Sequence, residues 1–197
     1  MDVTIGTVVI GGGQAGLVTG YYLARHGEPF VILDAGARVG DSWRQRYDSL
    51  RLFSFPRYAS LPGWRIPVDG CPTRDEMADY AERYAARFAL PVRTGVRVNG
   101  VSRRGRRFLV DTDQGGYLAD QVVVATGTHQ RASTPEWAAL LDPAIRQLHS
   151  VSTGIRCNWR PETCWWSAPA IPAPTSRWRR PGRCCSTSRS AARCTAL

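Results

Sequence analysis

Three glycines near the N-terminus constrain the possible fold of this chain more than any other feature. They stand at the spacing Gly-x-Gly-x-x-Gly, as Gly11, Gly13 and Gly16. Residues 3–10 before them are rich in β-branched side chains and are apolar on both faces at their end, which predicts a central parallel strand buried on both sides. Residues 17–26 predict a helix and residues 29–34 a second strand. The start of the chain therefore predicts a complete strand, helix, strand unit.

Each glycine of this motif has a separate task in a nucleotide-binding turn. Gly11 permits the tight turn, Gly13 lets a pyrophosphate approach the backbone, and Gly16 lets the helix pack closely on the strand. A helix that begins here directs free amides and a partial positive charge at the phosphates. Gln14 and Ala15 lie in this first turn and are predicted to contact the cofactor.

Asp34 ends the predicted second strand, 18 residues after Gly16. A carboxylate at this place accepts hydrogen bonds from the hydroxyls of an adenosine ribose. The additional phosphate of NADP would meet the negative charge of Asp34, which argues against NADP at this site. From these residues alone, the ligand is either FAD or NAD.

The middle of the chain predicts a long loop followed by one helix. Residues 36–73 lack a clean periodic pattern of side chains, which predicts a long ordered loop region. Residues 73–88 predict a helix with an apolar stripe that packs in the core. Thr73 and Glu76 stand at the spacing of a capping box at its start.

The overall pattern predicts the α/β class, as a Rossmann-like domain with a parallel sheet and a small antiparallel β unit. Residues 92–118 predict that antiparallel unit, with a hairpin turn at 114–116. Residues 120–127 predict a second buried strand that lies beside the first strand in the parallel sheet.

Composition excludes several other classes of protein. Charged residues make up 21% of the chain and hydrophobic residues 43%, which argues against a disordered or fibrous protein. The start of the chain lacks the pattern of a signal peptide, and no apolar run approaches about 20 residues. We therefore expect a cytoplasmic protein without a membrane segment.

The cysteines form no Cys-x-x-Cys pair, so no metal site is predicted.

Further motifs follow the glycine motif in an order that identifies a family. They are the segment Gly40-Asp41-Ser42-Trp43-Arg44 and, at the end of the last predicted strand, Ala125-Thr126-Gly127. This order resembles the class B flavoprotein monooxygenases, which include the flavin-containing and Baeyer–Villiger monooxygenases. The resemblance covers residues 3–150 and favours FAD over NAD.

The resemblance implies roles for these motifs. The glycine motif would bind FAD, and the loop with Trp43 and Arg44 would lie along the flavin. The strand end at Ala125, Thr126 and Gly127 would close the FAD site. The family uses NADPH to reduce FAD, and molecular oxygen to oxygenate a small-molecule substrate. The protein mainly binds, orients and shields its cofactor, so no side chain is nominated as catalytic.

The chain departs from this family towards its C-terminus. A family fingerprint of Phe, Gly, His and an aromatic residue would place Pro143, Ile145 and His149 at its first three positions, and only His149 matches. Thr153 stands at the place of the aromatic residue. The second glycine motif, which binds NADPH in the family, is missing. A disulfide reductase of similar fold is disfavoured, because no cysteine pair follows Asp34.

Residues 151–197 have a composition of their own. They hold 8 Arg against one Glu, and 5 of the 6 Cys. A basic disordered tail is one interpretation, and nucleic-acid binding through interleaved Arg and Trp is another. In a frame moved back by one base, residues 162–178 are compatible with a buried strand and a second glycine motif. We favour this frameshift.

The sequence therefore predicts two regions. Residues 1–150 form an incomplete FAD-binding domain, and residues 151–197 form a basic, disordered or frameshifted tail. The predicted function is that of an FAD-dependent, NADPH-using monooxygenase, truncated and inactive by itself. The alternatives are a non-catalytic nucleotide-binding module with a nucleic-acid-binding tail, and an inert truncated product. Nucleic acid is not the expected partner.

Overall fold

The computed structural model describes residues 3–127, 134–143 and 147, which form a mixed sheet of six strands joined by helices. The strands are β1 (Val3–Ile10), β2 (Phe30–Leu33), β3 (Val92–Arg93), β4 (Val98–Arg104), β5 (Arg107–Thr112) and β6 (Gly115–Val124). The α-helices are α1 (Gln14–Arg25), α2 (Asp41–Arg44), α3 (Pro56–Ala59) and α4 (Arg74–Arg87). A short 3₁₀ helix spans Glu136–Leu140.

The strand order in the sheet is β3-β2-β1-β6-β5-β4. β1 pairs in parallel with β2 and with β6, and β2 pairs in parallel with β3. The pairs of β6 with β5 and of β5 with β4 are antiparallel. The predicted α/β fold is confirmed, and so is the parallel pairing of the first strand with the strand that leads into Ala-Thr-Gly.

The hairpin turn predicted at 114–116 lies one residue earlier. Thr112 pairs with Gly115, and the turn consists of Asp113 and Gln114. The Thr112 hydroxyl accepts a hydrogen bond from the Gln114 amide at 3.1 Å and donates one to the Gly115 carbonyl. This side chain closes the turn before Gly115, which is why the two glycines belong to β6.

Two predictions about the strands also need correction. β3 was predicted in the antiparallel unit but pairs in parallel with β2, so that unit contains only β4, β5 and β6. The strand predicted over 120–127 starts at Gly115, because its first half pairs with β5. Its predicted burial is wrong, because none of residues 120–127 is buried and Val124 is 70% exposed. In the described part of the chain, β6 has no antiparallel partner beyond Ala119.

Two clusters of apolar side chains bury the central strands. One cluster joins the sheet to α1 and α4 and contains the fully buried Leu17, Ile32 and Tyr84. The other joins side chains of β1, β2, β5 and β6, among them Val8 and Leu33. The ends of β1 and β2 are thus buried on both faces, as predicted, and their carboxyl ends are held in place.

α4 anchors the long loop region predicted over 36–73. The predicted capping box is present: the Thr73 hydroxyl accepts from the Glu76 amide at 3.2 Å, and the Glu76 carboxylate accepts from the Thr73 amide at 2.7 Å. The loop contains the short helices α2 and α3, which were not predicted. Helices of one turn leave no periodic pattern in a sequence.

Tyr80 connects this loop region to α4. Its hydroxyl accepts a hydrogen bond from the Leu61 amide at 2.8 Å and donates one to the Trp64 carbonyl at 2.6 Å. Burial raises the pKa of this phenol. We expect Tyr80→Phe to lower the free energy of unfolding by about 1–3 kcal/mol, because both backbone groups lose their partner. Urea unfolding followed by circular dichroism measures the loss.

Tyr58→Phe is the matched control for this prediction. Tyr58 is 71% exposed, so the loss of its hydroxyl should change the free energy of unfolding by less than about 0.5 kcal/mol. Equal effects of the two variants would contradict the role given to the Tyr80 hydroxyl.

Candidate functional site

Gly11 lies where the carboxyl ends of three neighbouring strands meet. Its amide donates to the Leu33 carbonyl at 2.7 Å, and the Ala125 amide donates to the Ile10 carbonyl at 2.8 Å. The φ angle of Gly11 is +108°, and a Cβ on this residue would overlap the Ala125 carbonyl oxygen. Only glycine fits this turn.

The other two glycines of the motif have opposite surroundings. A Cβ on Gly16 would overlap the Gly11 carbonyl oxygen, so α1 packs on the end of β1 only because that atom is absent. A Cβ on Gly13 would have no atom within 4 Å. The backbone of Gly13 is extended, with φ −77° and ψ −170°, which other residues also adopt. Packing explains Gly16, whereas the surroundings of Gly13 leave room for a ligand.

α1 begins at the glycine motif with its positive end uncapped. Gly13 is the N-cap, no side chain caps the helix there, and the first turn contains no acidic residue. The Leu17 amide donates to the Gly13 carbonyl at 2.9 Å, so the amides of Gln14, Ala15 and Gly16 precede the first hydrogen bond within the helix. This helix end offers the donors and the partial charge that suit a phosphate group.

Asp34 accepts two backbone hydrogen bonds at the end of β2. Its Oδ2 accepts from the Gly12 amide at 2.5 Å, and its Oδ1 accepts from the Gly36 amide at 2.7 Å. The residue is half-buried, and each carboxylate oxygen accepts more than one hydrogen bond. Asp34 therefore keeps acceptor capacity for hydroxyl groups directly beside the glycine motif.

Gly12 and Gly36 belong to this arrangement but were not predicted. A Cβ on Gly12 would lie 2.9 Å from one carboxylate oxygen of Asp34, and a Cβ on Gly36 would lie 2.8 Å from the other. The motif spacing requires only two of the three consecutive glycines, so it contains no signal for the middle one. The signal for Gly36 is its place two residues after an aspartate, where the side chain accepts a local hydrogen bond.

The loop with Trp43 and Arg44 contacts α4. Trp43 packs against the apolar cluster that joins the sheet to α1 and α4. Arg44 donates to the Val39 carbonyl at 2.8 Å and forms ion pairs with Glu82 at 3.0 Å and Asp79 at 3.2 Å. These contacts give Arg44 a structural role, and its predicted place beside a flavin stays a prediction.

The Ala-Thr-Gly segment follows β6 directly and lies against the glycine motif. A Cβ on Gly11 would lie 3.2 Å from the Cα of Thr126, next to Ala125. Gly127 has a φ of +73°, in the left-handed region. The structure thus brings the glycine motif, Asp34 and the start of Ala-Thr-Gly to the same edge of the sheet.

The hydrogen-bond donors and acceptors at this edge fit a dinucleotide. Helix amides suit a pyrophosphate, and a carboxylate at the end of the adjacent strand suits a ribose.

Among the described residues, no group of three or more His, Cys, Asp or Glu side chains is placed to hold a metal ion. The same part of the chain has no helix that is long and apolar enough to cross a membrane.

Comparison with known proteins identifies the family of this chain. A model of the pyridine nucleotide-disulphide oxidoreductases matches residues 8–139, which is more than half of the chain. The chain belongs to this family. The matched range contains the glycine motif, Asp34 and the Ala-Thr-Gly segment.

Proteins similar to this chain include monooxygenases and an oxidoreductase. A flavin-containing monooxygenase from Stenotrophomonas maltophilia is 45% identical with a TM-score of 0.66, and the match covers 69% of this chain and 42% of that chain. A steroid monooxygenase, in an oxidized form bound to NADP, is 29% identical with a TM-score of 0.60, over 68% of this chain and 28% of that chain. An uncharacterized CzcO-like oxidoreductase of Geobacillus kaustophilus (strain HTA426) is 42% identical over 152 residues, which are 76% of this chain and 44% of that protein.

These relatives confirm the resemblance to the class B flavoprotein monooxygenases for the N-terminal portion of that family. The name of the first gives it a flavin and that of the second gives it NADP, in agreement with the cofactors expected of the family. The chain spans less than half the length of the relatives named here.

Proposed function

We propose that this chain binds FAD at the glycine motif and forms the FAD-binding part of an NADPH-dependent monooxygenase. This proposal rests mainly on the surroundings of Gly13. This residue has neither a positive φ nor a packed neighbour, yet it stands at the uncapped start of α1. A pyrophosphate at this place would receive hydrogen bonds from the amides of Gln14 and Ala15. Asp34 would accept hydrogen bonds from the adenosine ribose.

The rest of the proposed site follows from the family resemblance. Ala125, Thr126 and Gly127 would close the FAD site, because the first two lie against the turn at Gly11 and the third follows them directly. Trp43 and Arg44 would lie on the flavin side. The ion pairs of Arg44 with α4 support a role in holding this loop rather than a direct contact with the flavin.

The residues of the chain and the cofactor would have different roles in the reaction. Bound FAD would supply the redox chemistry, with electrons from NADPH and with molecular oxygen as the second substrate. The residues of this chain would bind, orient and shield the cofactor. The proposed substrate is a small molecule, and no side chain is assigned to its chemistry.

We also propose that residues 151–197 come from a shifted reading frame and that the 197-residue chain does not turn over NADPH. The support is that residues 164–167 give four apolar codons in a row in the other frame. With GC-rich choices for most of the free bases, residues 162–178 are then compatible with a buried strand and a second glycine motif. Sequencing the gene across codons 145–165 tests the reading frame directly.

Spectroscopy of the purified 197-residue chain tests the function. We expect flavin absorbance that stays with the protein on gel filtration, and no steady oxidation of NADPH. A gene with one base restored near codon 151 should yield a longer, yellow protein that oxidises NADPH. Steady NADPH oxidation by the 197-residue chain would contradict the proposal. Salt-dependent DNA binding without flavin absorbance would favour the nucleotide-binding module with a basic arm.

A further inference from the structure

One carboxylate of α4 anchors the segment that follows Asp34. Glu82 accepts two hydrogen bonds from the Arg38 guanidinium, from Nε to Oε1 and from Nη2 to Oε2, both at 2.8 Å. Its Oε2 also accepts from Nη2 of Arg44 at 3.0 Å. Paired planar contacts of this kind fix geometry as well as contributing energy. The hydrogen bonds from Arg38 hold the pKa of Glu82 below its usual range.

The same segment contacts α4 at two further places. Asp79, one turn before Glu82, forms an ion pair with Arg44 at 3.2 Å. Gly40 has a φ of +89°, and a Cβ on it would lie 2.5 Å from the carbonyl oxygen of Ala78. The segment between β2 and α2 is therefore held on α4 by charge and by close backbone packing.

Arg38 lies two residues after Gly36, whose backbone amide holds the Asp34 carboxylate. The Gly36 amide donates to Oδ1 of Asp34 at 2.7 Å, and the Gly36 carbonyl accepts from the Gly95 amide at 2.7 Å. Movement of Arg38 away from α4 would therefore disturb the Gly36 amide, and with it the orientation of the Asp34 carboxylate.

We propose that Glu82 is a positioning residue of the FAD site: its bidentate pair with Arg38 holds Gly36 in place and thereby aims the Asp34 carboxylate at the adenosine ribose. This proposal rests on the proposed function, because it requires FAD to bind at Asp34. Glu82 itself does not touch the cofactor.

FAD titration of the 197-residue chain, followed by quenching of flavin fluorescence, tests this role. Glu82→Gln and Arg38→Gln each remove the charge pair, and we expect each to weaken FAD binding about fivefold. Arg38 is 58% exposed, so its variant folds even if the Glu82 variant does not. Asp120→Asn is the matched control, because Asp120 pairs with Arg107 at 2.8 Å on another part of the surface. This control should bind FAD like the wild-type chain.

A second arm separates positioning from general stabilisation of the fold. In an Asp34→Asn background, Glu82→Gln should weaken FAD binding by a clearly smaller factor. The uncharged side chain contributes less to ribose binding, so a change in its orientation costs less binding free energy. A residue that only stabilises the fold would weaken binding by the same factor in both backgrounds. The same factor in both backgrounds, or wild-type affinity in both Glu82→Gln and Arg38→Gln, would overturn the proposal. Absence of FAD binding by the wild-type chain would instead refute the proposed function.

Discussion

Gly16→Ala is expected to unfold the strand, helix, strand unit, whereas Gly13→Ala is expected to keep the fold and lose FAD. A Cβ on Gly16 overlaps the Gly11 carbonyl oxygen, which is backbone and cannot rotate away. Gly11 cannot shift either, because its amide is bonded to Leu33 and it lies against Ala125. The expected cost is about 3 kcal/mol or more in the free energy of unfolding. Urea unfolding followed by circular dichroism measures it.

Gly13→Ala adds the same single carbon three residues away and serves as the matched comparison. The new Cβ would meet no atom within 4 Å, and the extended backbone of Gly13 suits alanine. We therefore expect the free energy of unfolding to change by less than about 1 kcal/mol. FAD binding should weaken by at least about tenfold, because the added carbon lies where the pyrophosphate would approach. Normal FAD binding by Gly13→Ala would contradict the assignment of the pyrophosphate site.

Asp34→Ala is expected to weaken FAD binding by about 10- to 100-fold. The variant removes a charged acceptor for the ribose hydroxyls, and hydrogen bonds to charged groups contribute about 1.5–3 kcal/mol each. It also leaves the amides of Gly12 and Gly36 without their carboxylate partner. Flavin retained after gel filtration, together with a fluorescence titration, gives the size of the loss.

Asp113→Ala is the control for this prediction. Asp113 also accepts a backbone hydrogen bond, from the Arg97 amide at 2.9 Å, but it lies in the turn between β5 and β6. Its loss should leave the FAD affinity unchanged. An equal loss in both variants would show that Asp34 acts through the stability of the fold and would refute the ribose assignment.

The parts of the site that lie close together in the chain could be predicted from the sequence. Gly16 is required by its close approach to the Gly11 carbonyl oxygen, and Gly11 by its positive φ, and both lie within one turn. The contact of Gly11 with Ala125 joins distant parts of the chain, and the spacing of the motif does not predict it. The capping box of Thr73 and Glu76 is local in the same way, because a helix brings residues three apart together. In each case the interacting groups lie three to five residues apart, so the backbone conformation alone brings them into contact.

The strand pairing was harder to predict because it depends on distant partners. β3 has two residues, and nothing in Val92 and Arg93 distinguishes a parallel from an antiparallel neighbour. β5 ends at Thr112, whose hydroxyl donates a hydrogen bond to the Gly115 carbonyl across the turn. The positions of the glycines in the sequence do not reveal this hydrogen bond. Backbone hydrogen bonds between strands are available to any extended residue, so the choice of partner is made by the packing of the whole sheet.

The sequence by itself determined the strand, helix, strand unit, the turn at Gly11, the close packing at Gly16 and the carboxylate that follows. Only the tertiary structure decided which acidic residue meets Arg38. Glu82 is 44 residues further along the chain, and a surface arginine pairs with whichever carboxylate the fold brings within reach. The packing of α4 on the sheet makes that choice, because the apolar side of the helix is buried and Glu82, at the edge of that side, then faces the loop.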